Sequence, residues 1–597
     1  MKKIILLITV AIMMGCESFL DTESFTSSNT NNFPMSEEDA TQMVTGVYST
    51  LNLSVQNCKS TYLFVAELAS DDRFGGGAPD DPDFQALDHL LYNDTEQFGD
   101  FWTNCYKGIG RANMAIANLD KISNEETKNQ LLGEVHFLRS FFYFQLTQLF
   151  GKVPLITEVP QSVGDAQKYP SQASEDDVYA FIVSDLYFAI ENMPNVPYDQ
   201  ITKGHVSKWD AEALLARVFL FYTGFYNKTE LPMMDLETME ATGSINKQYV
   251  VEKLEDCIKN SGHDLLKDFR SLWPYTNSVT LKGYQYAINN FKHGADSYAW
   301  VANAATWNED YNNAEQMFSI SCAPNTDSFN SFGVYYSPRK SNDKFFKESV
   351  YPLGRGWGAG PVNPALWNEW KESEPEDIRR QASILNNQVE GNLDAYTWGN
   401  DRQMEESGMW QKKTGSVRAF TDGDMSKGVF YYSFWQDLAY GGDGSQGDKD
   451  ESQGHNITII RFADVLLMHS ELTQTADGLN RVRSRAGLNP VAYSLENIQK
   501  ERRHEFAFES LRWGDMRRWG DAYAINALNS QLNQPIYNNG VKTKMKNQGS
   551  AGYAERYKAT RGMQPIPKTE LTLSNGVLKQ TEGWDYSASY YYSIWTE

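Results

Sequence analysis

Apolar residues recur three and four apart through most of residues 36–226, and that spacing predicts helices. The run SEEDATQMVTGVYSTLN from Ser36 opens on a capping serine and an acidic first turn, both favourable at a helix N-terminus. Residues 95–122 and 125–150 predict a helical hairpin, closed by Gly151 and Pro154. A second pair is predicted at 175–193 and 205–226. Paired helices of this length, with Ala, Gly and aromatics at their contact positions, suggest a tetratricopeptide-type array. Periodicity weakens over 227–455, where Gly and Pro recur and aromatics cluster without a core pattern, so a loop-rich insertion with short helices and small strands is expected. Helices resume at 457–475 and continue to 520, and the last 75 residues read as an irregular, Tyr-rich wrapping segment. The expected fold is all-α: a helix-pair scaffold over 36–226, a loop-rich insertion over 227–455, and C-terminal helices over 456–597 that pack back on the scaffold.

Composition narrows the class. With 597 residues the chain is too long for one ordinary core, so subdomains sharing a layered interior are expected. A net charge of −23 argues against nucleic acid, which needs a basic face. The N-terminus carries an export signal: Lys2 and Lys3 precede the apolar run Ile4–Met14, which is too short to span a bilayer permanently. Gly15-Cys16 resembles a bacterial lipobox, with Met13 where that motif prefers Leu. Cleavage there leaves residues 1–15 as the signal peptide, Cys16 as the acylated residue and 16–35 as a tether; a plain secretory signal is the alternative. Cys58, Cys105, Cys257 and Cys322 have no zinc or redox spacing and read as isolated thiols.

The densest chemistry lies at 501–519, ERRHEFAFESLRWGDMRRW, with five Arg, four acids and one His. His504-Glu505 begins a zinc-hydrolase pattern, but Phe508 stands where the second ligand belongs. Charged residues three and four apart beside Phe506, Phe508 and Trp513 instead suggest a structural ion-pair network. Gly75-Gly76-Gly77 lacks the Lys of a phosphate loop, and no nucleophile elbow is present. The acids at 441–452 lack EF-hand spacing and read as a solvated loop. No cofactor, metal or catalytic residue is predicted, although two suitably placed carboxylates among 77 acids would suffice for a glycosidase. Aromatics with polar neighbours suit sugars, whose C–H faces stack on rings while directed bonds hold the hydroxyls. The candidates are Trp102 with Asn104, Asp72 with Arg73, and Tyr298, Trp300, Trp307, Tyr335, Tyr336 and Trp357 of the insertion, each weighed against ordinary core packing.

Several longer motifs, in order, resemble the SusD/RagB family of Bacteroidetes outer-membrane lipoproteins. They are CESFLD from Cys16, GEVHFLR from Gly133, GKVPL from Gly151, RFADVLL from Arg461, LNRVRSRAGL from Leu479, the 501–519 run, and PIP from Pro565 followed by Gln580–Trp584. Thr581 stands where the family has Asn, and the stretch between Glu471 and Leu479 is shorter than usual. The resemblance implies a non-catalytic, surface-exposed glycan-binding lipoprotein that passes oligosaccharide to a SusC-like TonB-dependent transporter, with a ligand face built from loops that include the insertion over 227–455. By position and local motif it carries ligand-binding roles to Asp72, Arg73, Trp102, Asn104, Tyr335, Tyr336 and Trp357, and lipid attachment to Cys16. A peptide ligand, as in the RagB branch, is the alternative within the same architecture.

Overall fold

The computed structural model describes residues 33–593 apart from 57, 161, 163–167, 274–313, 323–329, 340–355, 391–392, 416–417, 421–427, 431–455, 549–550 and 588. Cys16, Tyr298, Trp300, Trp307 and the acidic loop 441–452 lie outside the described residues.

Seventeen helices carry labels here. The first eight are α1 (Glu37–Gln56), α2 (Tyr62–Leu68), α3 (Pro82–Asp88), α4 (Gly99–Leu119), α5 (Glu125–Phe150), α6 (Glu175–Asn192), α7 (Lys208–Phe225) and α8 (Lys247–Asn260). They are followed by α9 (Pro364–Ser373), α10 (Ile378–Ser383), α11 (Phe462–Thr473), α12 (Asp477–Arg485), α13 (Leu495–Glu505), α14 (Arg512–Arg518), α15 (Asp521–Asn529), α16 (Tyr553–Thr560) and α17 (Lys568–Leu573). Among the described residues, strands form only five two-stranded antiparallel pairs. The molecule is mainly helical, as its periodicity predicts.

Local chemistry sets the helix ends. Ser36 Oγ accepts from the Asp39 amide at 3.1 Å, and Asn124 caps α5 through the amides of Glu126 and Thr127. Ser207 and Asp210 close a reciprocal capping box on α7. Gly151 ends α5 at φ +74°, a left-handed value that favours glycine.

Helix α5 is the axis of the array. Every residue from Leu131 to Phe150 is buried, so this helix is enclosed on all sides by α1, α4, α6 and α7. Its polar residues pair internally: Arg139 binds both carboxylate oxygens of Asp185 on α6, at 2.9 and 2.7 Å, and His136 Nδ1 lies 2.6 Å from Oδ1. Stacking then continues from α6 to α7, α8, α11 and α12. Helix α8 falls in the stretch read as loop-rich, but it buries Val250, Val251, Leu254 and Cys257 and packs between α7 and α11, so the array extends past residue 226. One apolar cluster runs from Ala40 to Leu578, and a smaller one joins Val362, Trp367, Trp370 and Ile384 to Ala507 and Phe508. The four remaining cysteines are free thiols.

The 501–519 run is the junction of these parts. Glu505, fully buried, accepts from Arg379 Nη1 at 2.8 Å, Arg461 Nη1 at 2.5 Å and Arg485 Nη2. Glu501 binds Arg379 and Arg483, and Glu509 binds Arg461 and Lys413. Arg502 bridges Asp464 and Asp515, while Arg503 and Arg512 both hold Asp71. The expected ion-pair network is therefore present and buried. His504 belongs to it: the ring stacks on Trp370 at 4.3 Å, with Nδ1 and Nε2 each 3.2 Å from a glutamate, Glu374 and Glu369.

Two outcomes follow. Removing the Glu505 charge leaves three buried guanidinium groups under-compensated, so Glu505→Gln should lower stability by about 3–5 kcal/mol in urea unfolding at neutral pH. Burial pushes Glu374 up, but hydrogen bonds from His504 and Arg483 outweigh it and hold the carboxyl at about 2. Asp71 is likewise held at about 2, because Arg503 and Arg512 outweigh its burial. Unfolded carboxylates titrate near ~4, so the folded state binds fewer protons in this window. The stability these groups contribute is full above pH ~4 and should be lost as pH falls toward ~2, read by circular dichroism as a function of pH.

Candidate ligand-binding site

Segments 72–78, 356–363 and 398–407 are laced into one shelf. The Gly360 amide donates to Gly75 O at 2.9 Å, Gly77 N to Gly358 O at 2.7 Å, and Met404 N to Gly77 O at 2.8 Å. Gly76 has φ +71°, and a Cβ there would lie 2.4 Å from the Gly358 carbonyl oxygen, so the lacing requires glycine at this position.

An aromatic ladder stands on the shelf. Tyr336 stacks on Phe64 at 5.1 Å, Tyr335 meets Phe84 edge-on at 5.7 Å, and Trp357 meets Tyr335 edge-on at 4.7 Å. The ladder runs from the core outward: Tyr336 is 1% exposed and Tyr335 8%, whereas Trp357 is half-buried. Arg339 borders that outer ring. It donates Nη1 to the Trp357 carbonyl oxygen at 2.9 Å and to Asp81 at 2.8 Å, and Nε to Asp401 at 3.3 Å. Arg402 pairs with Asp80 at 2.9 Å on the exposed side. On the 398–407 loop, half-buried Trp398 stacks on Tyr537 at 4.0 Å. A partly open indole edged by fixed charged donors and acceptors can receive the apolar face of a small polar ligand while directed bonds hold its hydroxyls.

Of the residues proposed from sequence, Arg73, Tyr335, Tyr336 and Trp357 come together, but only Trp357 keeps an open face. Arg73 is a keystone of the packing. It is 1% exposed, bonded to Glu67 at 2.6 Å and Gly360 O at 3.0 Å, and held between the rings of Tyr336 and Phe508 at 4.3 and 4.4 Å. Asp72 is buried as well, with Oδ1 on Arg503 at 2.8 Å. Burial pushes its carboxyl up against the pull of Arg503. Trp102 is a core residue of α4, against Phe150 at 5.2 Å and Tyr106 at 5.1 Å. Its proposed partner Asn104 is half-buried two positions along the same helix, which turns the two side chains about 200° apart, so they cannot serve one ligand. Arg339, Asp81, Asp401 and Trp398 were missed: they share no motif, and the one available signal was charge beside Pro and Gly in Asp80-Asp81-Pro82 and Trp398-Gly399.

Comparison with known proteins places this fold in a class. Residues 18–220 match a SusD-like model described as starch-binding and associating with the outer membrane, and residues 314–584 match the SusD family model. The chain belongs to the SusD/RagB family. It is 25% identical over 458 residues to a SusD-like protein of Bacteroides ovatus, covering 74% of this chain and 68% of that one. It is 25% identical over 461 residues to SusD-like protein P2 of Formosa agariphila, covering 72% and 74% respectively. Among solved structures, a laminarin-binding SusD-like protein superposes with TM-score 0.64 at 24% identity, over 92% of this chain and 100% of that one. Surface glycan-binding protein A from Bacteroides thetaiotaomicron in complex with laminarihexaose superposes with TM-score 0.61 at 19% identity, over 92% and 99%. No helix among the described residues is long and apolar enough to cross a membrane.

Because Trp102 and Arg73 are interior, Trp102→Ala should cost about 3–5 kcal/mol of stability through its cavity. Arg73→Ala should cost a similar amount, about 3–5 kcal/mol, by stranding Glu67. Trp357→Ala should cost about 1–2 kcal/mol or less, as its ring is only half-buried. Chemical denaturation of the three variants measures the order directly.

Proposed function

We propose that this protein is a surface glycan-binding lipoprotein, anchored through acylated Cys16, that captures oligosaccharide and hands it to a SusC-like TonB-dependent transporter. The observation that carries the reading is the half-buried Trp357, fixed at 4.7 Å on Tyr335 and bordered by Arg339, in a chain of this family. Its structural relatives include proteins named for laminarin and surface-glycan binding, which makes β-linked glucans the first ligands to try. The reading is of a binding protein and not an enzyme. Asp81 and Asp401, beside the platform, are both tied to Arg339, an arrangement suited to holding a ligand's hydroxyls.

A ring platform open on one side gives modest affinity, roughly micromolar to millimolar. Calorimetry of the chain lacking residues 1–16, against laminarin, starch, other glycans and peptides, should show binding to a glycan. Trp357→Ala should weaken it about tenfold or more, equivalent to ~1.4 kcal/mol. Binding to peptides alone, or sugar release by the purified protein that one carboxylate substitution abolishes, would sink this reading.

A further inference from the structure

Asp88 and His89 end α3, and Glu405 approaches them from the 398–407 loop, held at φ +48°. Their side chains converge in the interior, all three at 0% exposure, with one ligand-type atom from each lying within 4.8 Å of the others. The His89 ring lies between Tyr553 and Tyr592, stacked at 5.7 and 5.9 Å, which fixes its plane. Nε2 lies 3.2 Å from Glu405 Oε1, and Nδ1 lies 3.1 Å from the Tyr553 hydroxyl. The backbone orients each carboxylate by its other oxygen: Gly75 N donates to Asp88 Oδ2 at 3.1 Å, and Gly76 N to Glu405 Oε2 at 3.0 Å. Glu405 Oε1 is thereby turned toward His89, and Asp88 Oδ1 accepts from the Tyr553 hydroxyl beside the ring at 3.4 Å.

Charge is what sets this cluster apart. Glu374, Asp377 and His504 form a trio of the same composition, but there Arg483 holds Glu374 at 2.6 Å and Arg379 holds Asp377 at 2.7 Å. Among the described residues no Lys or Arg forms an ion pair with Asp88 or Glu405. Arg556 senses the Asp88 charge but directs Nη1 to the carbonyls of Gln548 and Ala551. A second observation is independent of the acids. Gln531, 0% exposed, turns its amide nitrogen toward the Asp88 carboxyl, while its amide oxygen has no hydrogen-bond partner among the described residues. An unsatisfied buried carbonyl-type oxygen costs about 1–3 kcal/mol, so a missing electropositive partner is implied.

We propose that Asp88, His89 and Glu405, beside the buried Gln531 amide, form a structural divalent-cation site. One imidazole nitrogen with two carboxylates is a mixed N/O donor set, suited to Zn²⁺ or Mn²⁺ more than to Ca²⁺, which favours oxygen alone. Two negative carboxylates balance the ion's charge. The ion would tie α3, the 398–407 loop and the 531–553 segment together beneath the Trp357 shelf, so its role is to stiffen the platform and not to touch the ligand.

The chain lacking residues 1–16, purified without chelator, should contain about one equivalent of metal by plasma mass spectrometry. Exhaustive chelation should lower Tm by several degrees, and added Zn²⁺ or Mn²⁺ should restore it where Ca²⁺ does not. Asp88→Asn and Glu405→Gln keep shape and remove charge; both should abolish stoichiometric metal while far-ultraviolet circular dichroism stays that of a folded chain. A folded wild-type chain that neither contains nor takes up a cation would overturn the proposal, and would mean that one of the two carboxyls holds a proton instead. Metal retained in full by both variants would overturn it equally. If the variants do not fold, metal content and Tm of the chelated wild type still decide. Metal content is read without glycan, so it can fail while Trp357-dependent binding succeeds, and the reverse.

Discussion

The structure depends on a buried lattice of guanidinium and carboxylate groups centred on Glu505. Three arginines from three separate parts of the chain, Arg379, Arg461 and Arg485, converge on this one carboxylate. Each ion costs several kcal/mol to take out of water, and only dense mutual pairing offsets that. The lattice is therefore weak as a source of net stability and strong as a specifier. A helix out of register would strand a charge in the interior. This matters because the scaffold is built from consecutive helix pairs, whose contacts are mostly near neighbours and do not by themselves bring residue 71 to residue 512. The Asp71 pairs with Arg503 and Arg512 do that.

The ligand shelf hangs from the same lattice. Phe508 lies three residues past Glu505, takes a left-handed φ of +67°, and presents its ring to Arg73. Arg73 in turn carries Tyr336 on its other face and the Gly360 carbonyl on Nη1. A bulky residue in that conformation costs of order 1–2 kcal/mol, and the packing around Arg73 holds it there. So the path from Glu505 to the open face of Trp357 is continuous: strained turn, sandwiched guanidinium, tyrosine ladder, indole. The site is rigid because each member is fixed by the one beneath it, as a platform for weak, directional binding requires.

Much of the scaffold was legible from periodicity and caps alone, since 3.6-residue spacing and Ser, Asn and Gly at the ends are local signals. The helical hairpin at 95–150 and the pair at 175–226 appear within a few residues of their predicted ends. Short helices were expected in 227–455, but α8 was not placed individually, although Val250, Val251, Leu254, Cys257 and Ile258 mark an apolar face. The site was less legible for a different reason. A Tyr, Trp, Asp or Arg beside glycine reads the same whether it faces water or a neighbouring guanidinium. Asp72 and Arg73 were chosen for the chemistry that makes them good ligand groups, and that chemistry serves internal pairing equally well. Trp102 could have been discounted from sequence, because a helical partner two residues away points elsewhere.

Exposure, then, separates the two uses of the same residue types. Along the ladder the rings pass from 1% to 8% to half-open within one run of contacts, so the chemistry of recognition is continuous with that of the core, and only the last ring is free to act. Arg339 shows the matching logic on the polar side. Its bonds to Asp81 and Asp401 compensate its charge and fix its plane, which leaves directed donors and acceptors there and no bare guanidinium. An uncharged glycan offers no ion to pair with a bare guanidinium, so a rim of internally compensated charges gives up the least solvation when it binds one. On the proposed reading, that balance suits neutral sugars better than anionic ligands at this face, and it comes from how the arginine is held.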